Sequence, residues 1–233
     1  MNTLVNASPA TPLAAPRKSA LRTWGPLALV LVLVALPLLP LPDFWIIQLN
    51  YIGIYTLPVL GLVLLTGVGG LTSFGQAAFV GIAAYATAWL TTAQGMSPWI
   101  GLLFALLLTG LSALAIGMLT LRLGGHFLPL STIAWGLSIA MLFGNVDALG
   151  KYDGILGVKG LSLFGFEIGQ QRIFFGVVWA LVLLASLAVI RLLDSRSGRA
   201  IRSLAGGSQM AEAMGVNTLR FKIGIFVLAA MLA

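Results

Sequence analysis

Runs of about 20 mostly apolar residues recur along this chain, and a run of that length is what a helix needs to cross the hydrocarbon of a bilayer. They occupy 26–42, 45–65, 74–92, 99–121, 127–147 and 172–191, with a further run beginning at 223. A soluble fold has no way to cover so much apolar surface. Only 8% of the 233 residues are charged, against roughly 25% in a typical soluble domain. The pattern therefore predicts an all-α, polytopic transmembrane helix bundle, with six complete spans and the start of a seventh. The seventh stops after 11 residues, Ile223 to Ala233. That is too short to cross about 30 Å at 1.5 Å per residue, so a chain cut short at its C-terminus is expected.

The ends of the runs set the domain reading. Residues 1–24 are rich in Ala, Pro, Ser and Thr and predict a disordered cytoplasmic tail, followed by a transmembrane domain over 25–233. The first run resembles the apolar region of a signal peptide but lacks a small-residue cleavage site, and is read as an uncleaved span. With the N-terminus inside, the cytoplasmic segments hold Arg17, Lys18, Arg22, Arg122, Arg191, Arg196, Arg199, Arg202, Arg220 and Lys222. The opposite side holds Lys151, Lys159 and Arg172. Ten basic residues against three follows the positive-inside rule. That pattern explains the net charge of +7 better than nucleic-acid binding does.

The same inventory narrows the chemistry. There is no cysteine and one histidine, so a thiolate metal site is excluded and no catalytic or metal-ligating cluster is expected. His126 is read as an interfacial residue at the start of the fifth run, and Asp147 and Asp153 as solvated. The Gly67-Val-Gly-Gly70 stretch lacks the Lys and Ser/Thr of a phosphate loop.

Two segments stand out. The first is the joint between the second and third runs, which reads as a tight turn or as non-helical backbone at membrane depth. Ser73, Ala77 and Gly81 recur every four residues, as on one helix face that lets backbones approach closely. Thr72, Ser73, Gly75 and Gln76 are candidates to line a solute path. The competing reading is helix packing, with Gln76 bonded to a neighbouring backbone, because an unpaired amide is costly in lipid. The second segment is the inner loop 192–222, which predicts two short helices. Ser197 is expected to cap a helix ending at Gly206-Gly207, and Ser208 one ending at Gly215. Met210, Ala213 and Met214 would share an apolar face beside Arg199, Arg202 and Glu212. Such a face suits docking into a partner's groove; the plainer reading is a solvated basic loop.

These motifs carry a family resemblance. Leu65-Thr-Gly-Val-Gly-Gly-Leu-Thr-Ser-Phe-Gly-Gln-Ala-Ala-Phe-Val-Gly-Ile-Ala-Ala-Tyr85 resembles the LTGxxGxxSxGxAAFxGxGAY segment of branched-chain amino acid ABC permeases of the LivM type. Leu119-Thr-Leu-Arg-Leu-Gly-Gly-His-Phe127 resembles their LRLRGxYF stretch, and Tyr152-Asp-Gly-Ile-Leu-Gly157 their outer TGGxxG loop. Asp194-Ser-Arg-Ser-Gly-Arg-Ala-Ile-Arg202 with Ala211-Glu-Ala-Met-Gly-Val216 resembles their ATPase-contacting loop. Two departures are Gly124, where the family often has Arg, and Gly207-Ser-Gln, where it usually has acidic residues.

The resemblance implies a non-enzymatic permease subunit in a bacterial inner membrane. It would pair with a second permease subunit, two cytoplasmic ATP-binding subunits and an external solute-binding protein. It would carry no cofactor of its own, since ATP is bound by the partners. It also implies that Arg199, Arg202, Met210, Glu212, Ala213, Met214 and Gly215 form the ATPase-coupling element. Relatives that carry urea, amides or aromatic acids leave the solute open. Two other classes remain. A stand-alone channel or secondary transporter would leave the capped inner helices unexplained. A membrane-embedded enzyme would need His or acidic clusters within the spans.

Overall fold

A computed structural model describes residues 33, 35–40, 42–122, 127–158, 160, 162–163, 166–167 and 170–233. The chain divides into two units, one up to Pro40 and one from Leu41. The described part of the first contains a single 3₁₀ turn, Leu36–Leu38. The expected tail and residues 26–32, 34 and 41 of the expected first span lie outside the described residues, as do Leu123 to His126.

The second unit is helical. Helix α1 (Asp43–Leu62) runs directly into a π-helical segment, Val63–Val68. After the joint come α2 (Gln76–Thr92), α3 (Pro98–Thr120) and α4 (Phe127–Asn145). The loop after α4 holds two 3₁₀ turns and a two-stranded antiparallel ladder, β1 (Ser162–Leu163) with β2 (Phe166–Glu167). Then follow α5 (Gln171–Asp194), α6 (Arg196–Ala205), α7 (Ser208–Ala213) and α8 (Thr218–Met231).

Four of these are long and apolar enough to cross a membrane: Asp43–Val68, Pro98–Thr120, Phe127–Asn145 and Gln171–Asp194. Each falls on a run read from the sequence. The expected count of six spans and part of a seventh is not matched among the described residues. The third run, expected from residue 74, becomes helical at Gln76, and α2 has 17 residues. The last run was expected from 223, but α8 starts at Thr218 and so takes Arg220 and Lys222 onto a helix. The stretch between α5 and α8 is accordingly residues 195–217, shorter than the expected 192–222.

Packing follows residue size. Along α3 the buried positions include Gly101, Ala105, Thr109, Ala113 and Gly117, a strict four-residue repeat of small side chains. Close backbone approach, rather than water exclusion, drives association between helices in lipid. Helix α8 lies at the centre, where Phe226 meets Phe79 edge-on at 5.6 Å. Around them Leu64, Leu65, Leu71, Ala113, Ile116, Leu128, Ile201, Ile225 and Ala229 form the core. The outer faces are apolar: Leu103, Leu107 and Leu111 on α3 are exposed, as are Leu181, Leu184, Leu187 and Ile190 on α5. Hydroxyls on the helices bond back to carbonyls one turn earlier. Thr87 bonds to Ala83, Thr91 to Thr87 and Thr120 to Ile116, so none of these is left bare in an apolar setting.

Candidate functional site

The joint between α1 and α2 is the most irregular backbone inside the bundle. The α-helical pattern loosens to a π segment, a feature often found at functional positions. Its end is tied by Gly69 N–H donating to the Leu64 carbonyl at 3.0 Å and Leu71 N–H to Leu65 at 3.1 Å. Gly70 adopts φ +66°, a left-handed conformation that glycine enters freely. Thr66 Oγ1 donates to the Leu71 carbonyl at 3.2 Å. The extended stretch after it is held by α4, where Phe74 N–H donates to Thr132 Oγ1 at 3.0 Å. The Gly75 N–H donates to Ser73 Oγ at 3.4 Å. Four backbone N–H groups of this joint, those of Gly69, Leu71, Phe74 and Gly75, are thus paired within the protein, as an apolar surrounding favours.

A second element is built on the end of α5. Ser195, not Ser197, caps α6: its Oγ accepts from Gly198 N–H at 3.2 Å. The turn is tight enough that a Cβ on Gly198 would collide with the carbonyls of Leu192 and Leu193. Ile201 and Leu204 bury the inner face of α6. Its end lies against the joint, where a Cβ on Gly70 would stand 3.3 Å from Ala205 Cα. Helix α7 begins at Ser208, so Ser208 is helical rather than the cap; the cap position is Gly207. Ala211 is buried and anchors it, while Met210 and Met214 are 70% and 78% exposed. Gly215, at φ +80°, closes the helix. Its N–H donates to Glu212, and Val216 N–H donates to Ala211 at 3.0 Å, a left-handed glycine termination.

Residues 46–233 match the model of a family described as the branched-chain amino acid transport system permease component. The chain belongs to this family. Similar curated proteins are the high-affinity branched-chain amino acid transport system permease proteins LivM of Salmonella typhimurium (strain LT2) and Escherichia coli (strain K12). Each is 28% identical over 204 aligned residues, which cover 77% of this chain and 48% of the relative. The chain thus spans about half the length of the curated relatives it matches. No solved structure matches it. Family and helices together make this a multi-pass membrane protein of the permease class.

Within this permease fold the path candidates read from the sequence separate. Thr72 is exposed, whereas Ser73, Gly75 and Gln76 are buried. Gln76 Nε2 donates to the Ala229 carbonyl of α8, the packing role weighed for it above. Ser73 precedes α2 and so does not share a helical face with Ala77 and Gly81. Gly81 does permit a close approach, its virtual Cβ lying 2.9 Å from the Phe143 ring of α4.

The coupling residues also separate. Met210, Ala213 and Met214 are exposed. Arg202 turns back onto α5, with Nη2 donating to the Leu193 carbonyl at 2.7 Å and lying 3.6 Å from Asp194. Arg199 Nη1 donates to the Asp194 carbonyl at 3.3 Å. Glu212 Oε1 accepts from Thr218 Oγ1 at 2.5 Å, tying α7 to the start of α8. The two arginines and Glu212 hold the element in place, and the methionines form its outward surface. Among the described residues no group of three His, Asp or Glu side chains gathers to hold a metal.

One set of side chains was missed in the sequence. Gln48, Tyr51, Tyr55 and Thr56 share one flank of α1 and line an open groove of about 370 Å³ with Ile52 and Val59. The signal was present as polar groups spaced 3, 4 and 1 residues apart in an otherwise apolar run.

Proposed function

We propose that this chain is the membrane-spanning permease subunit of an ABC importer for branched-chain amino acids in a bacterial inner membrane, with its N-terminus cytoplasmic. It works with a second permease subunit, two cytoplasmic ATP-binding subunits and an external solute-binding protein. ATP is bound and hydrolysed by those partners. The observation that carries the reading, beside family membership, is the rigidly mounted α6–α7 element with its bare methionine surface. Closure of an ATPase dimer must be transmitted through a cytoplasmic element that the ATPases grip. Here that element is fixed to α5 by Arg199 and Arg202 and to the joint by Ala205 against Gly70. Its polarizable, adaptable Met side chains suit a partner's apolar groove.

The test is Met210→Asp with Met214→Asp. Burying each Met contributes about 1.5–3 kcal/mol, so losing both lowers ATPase affinity by roughly two to four powers of ten. The expected result is normal membrane insertion with loss of the ATPase subunits on co-purification in detergent. Equal recovery from wild type and variant would remove the coupling role from α7.

A further inference from the structure

The flank of α1 that carries Gln48, Tyr51 and Tyr55 is at odds with lipid. Tyr55 lies 12 residues into a helix of the spanning type, about 18 Å along it at 1.5 Å per residue. That is near the middle of a hydrocarbon layer about 30 Å thick. Among the described residues, neither tyrosine hydroxyl nor the Gln48 amide has a hydrogen-bond partner. Thr56 satisfies itself by donating to the Ile52 carbonyl at 2.6 Å. Polar groups facing lipid tails without partners are strongly disfavoured. The exposed stripe of α5 shows what this bundle places against lipid: Leu181, Leu184, Leu187 and Ile190, with no polar atom.

We propose that the α1 groove is the wall of a water-filled path. This deepens the transport reading above and rests on it. The chemistry follows from the lining. Residues 44–68 contain no ionisable acid or base, apart from the weakly acidic tyrosines, so the polar lining is made of neutral hydroxyl and amide groups. The hydroxyls of Tyr51 and Tyr55 and the amide of Gln48 both donate and accept. Ile52, Val59 and the tyrosine rings offer apolar contact between them. The opposite flank of the helix is unavailable, since Ile46, Asn50, Gly53 and Gly61 are buried against the rest of the bundle.

The chain has no cysteine, so single introduced thiols report on their own surroundings. Tyr55→Cys and Gln48→Cys are compared with Leu184→Cys, all in membranes of cells carrying the accompanying transport subunits. Leu184 is a matched control: it lies 13 residues into α5 and is 63% exposed, against 64% for Tyr55. The probe is a charged, membrane-impermeant methanethiosulfonate. The thiolate is the reacting species and apolar surroundings suppress it, so both groove thiols should react about tenfold faster or more than Leu184→Cys. Leucine should slow both groove reactions and leave the control unchanged. Groove thiols that react no faster than the control would mean that lipid or a dry protein surface covers α1, and would overturn the proposal. Fast reaction that leucine does not slow would show a wet surface off the solute path, and would overturn the proposal. Co-purification of the ATPase subunits from the same membranes tests the importer reading separately, because labelling does not depend on it.

Discussion

Two glycines in this bundle permit close approach, and the structure says that they differ in what they tolerate. A Cβ at Gly61 would stand 2.6 Å from the Ala229 carbonyl oxygen, 3.2 Å from Ala229 Cα and 3.0 Å from Gln76 Nε2. Two of those atoms are backbone of α8, and the third is held by its bond to the same carbonyl. A Cβ at Gly81 would meet the edge of the Phe143 ring alone. Phe143 borders cavities of about 490 and 280 Å³, so the ring has somewhere to move. Gly61→Ala should therefore force α1 and α8 apart. The overpacking costs about 1–3 kcal/mol, and the broken amide bond about 0.6–1.7 kcal/mol more in a membrane setting. The total, about 2–5 kcal/mol, lowers the melting temperature by roughly 4–20 °C at 2–4 °C per kcal/mol. Gly81→Ala should stay within about 1 kcal/mol, because the gain in helix propensity offsets a small ring displacement. The assay is the fraction of detergent-solubilised protein surviving graded heating, read by size exclusion. Gln76→Ala completes the comparison: with the amide gone, Gly61→Ala should cost less than it does alone, a coupling that a double-mutant cycle reads directly. If Gly81→Ala melts as low as Gly61→Ala, the distinction between backbone and side-chain obstruction fails here.

Topology is tested by reporter fusions: one after Leu156 should be active outside and one after Leu204 inside, and activity on the same side would refute the span order. Gly198→Ala should disrupt the corner between α5 and α6, since both obstructing atoms are backbone carbonyls. The expected signature is new protease sensitivity near residue 195 and loss of co-purified ATPase, with insertion intact; wild-type behaviour in both measurements would show that the corner is not a rigid mount.

Much of this architecture was legible because a bilayer imposes one simple rule. A spanning segment must satisfy its backbone internally and be apolar over a fixed length. The helices at 43–68, 98–120, 127–145 and 171–194 follow from that alone. The inner helices were legible from glycine: Gly215 at φ +80° ends α7 as its position suggested. What the pattern did not settle were choices between near neighbours. Ser195 and Ser197 are equally good caps by type, and the cap is decided by Gly198, which alone lets the chain fold back onto the α5 carbonyls. Arg199 and Arg202 look like a basic surface in one dimension, yet the end of α5 presents unpaired carbonyls within their reach, and they turn to it.

The missed face of α1 has a more general cause. In a soluble helix the polar stripe is the default exterior and needs no explanation, so a reader looks for function among buried polar groups. Gln76 drew attention because an unpaired amide is costly in lipid, and its amide donates to the Ala229 carbonyl. In a bilayer the logic inverts. The exterior default is apolar, buried faces are marked by small residues such as Gly101, Ala105, Ala113 and Gly117 on α3, and an exposed polar group is what needs a reason. On α1 those two markers fall on opposite sides: Gly53 and Gly61 face the bundle, while Gln48, Tyr51 and Tyr55 face away from it. A helix with small residues on one side and hydroxyls on the other has one side for its own bundle and one for something wet. That division is readable from residue types once the bilayer is taken as the solvent, and it marks the exposed flank of α1 as polar where the exposed faces of α3 and α5 are apolar.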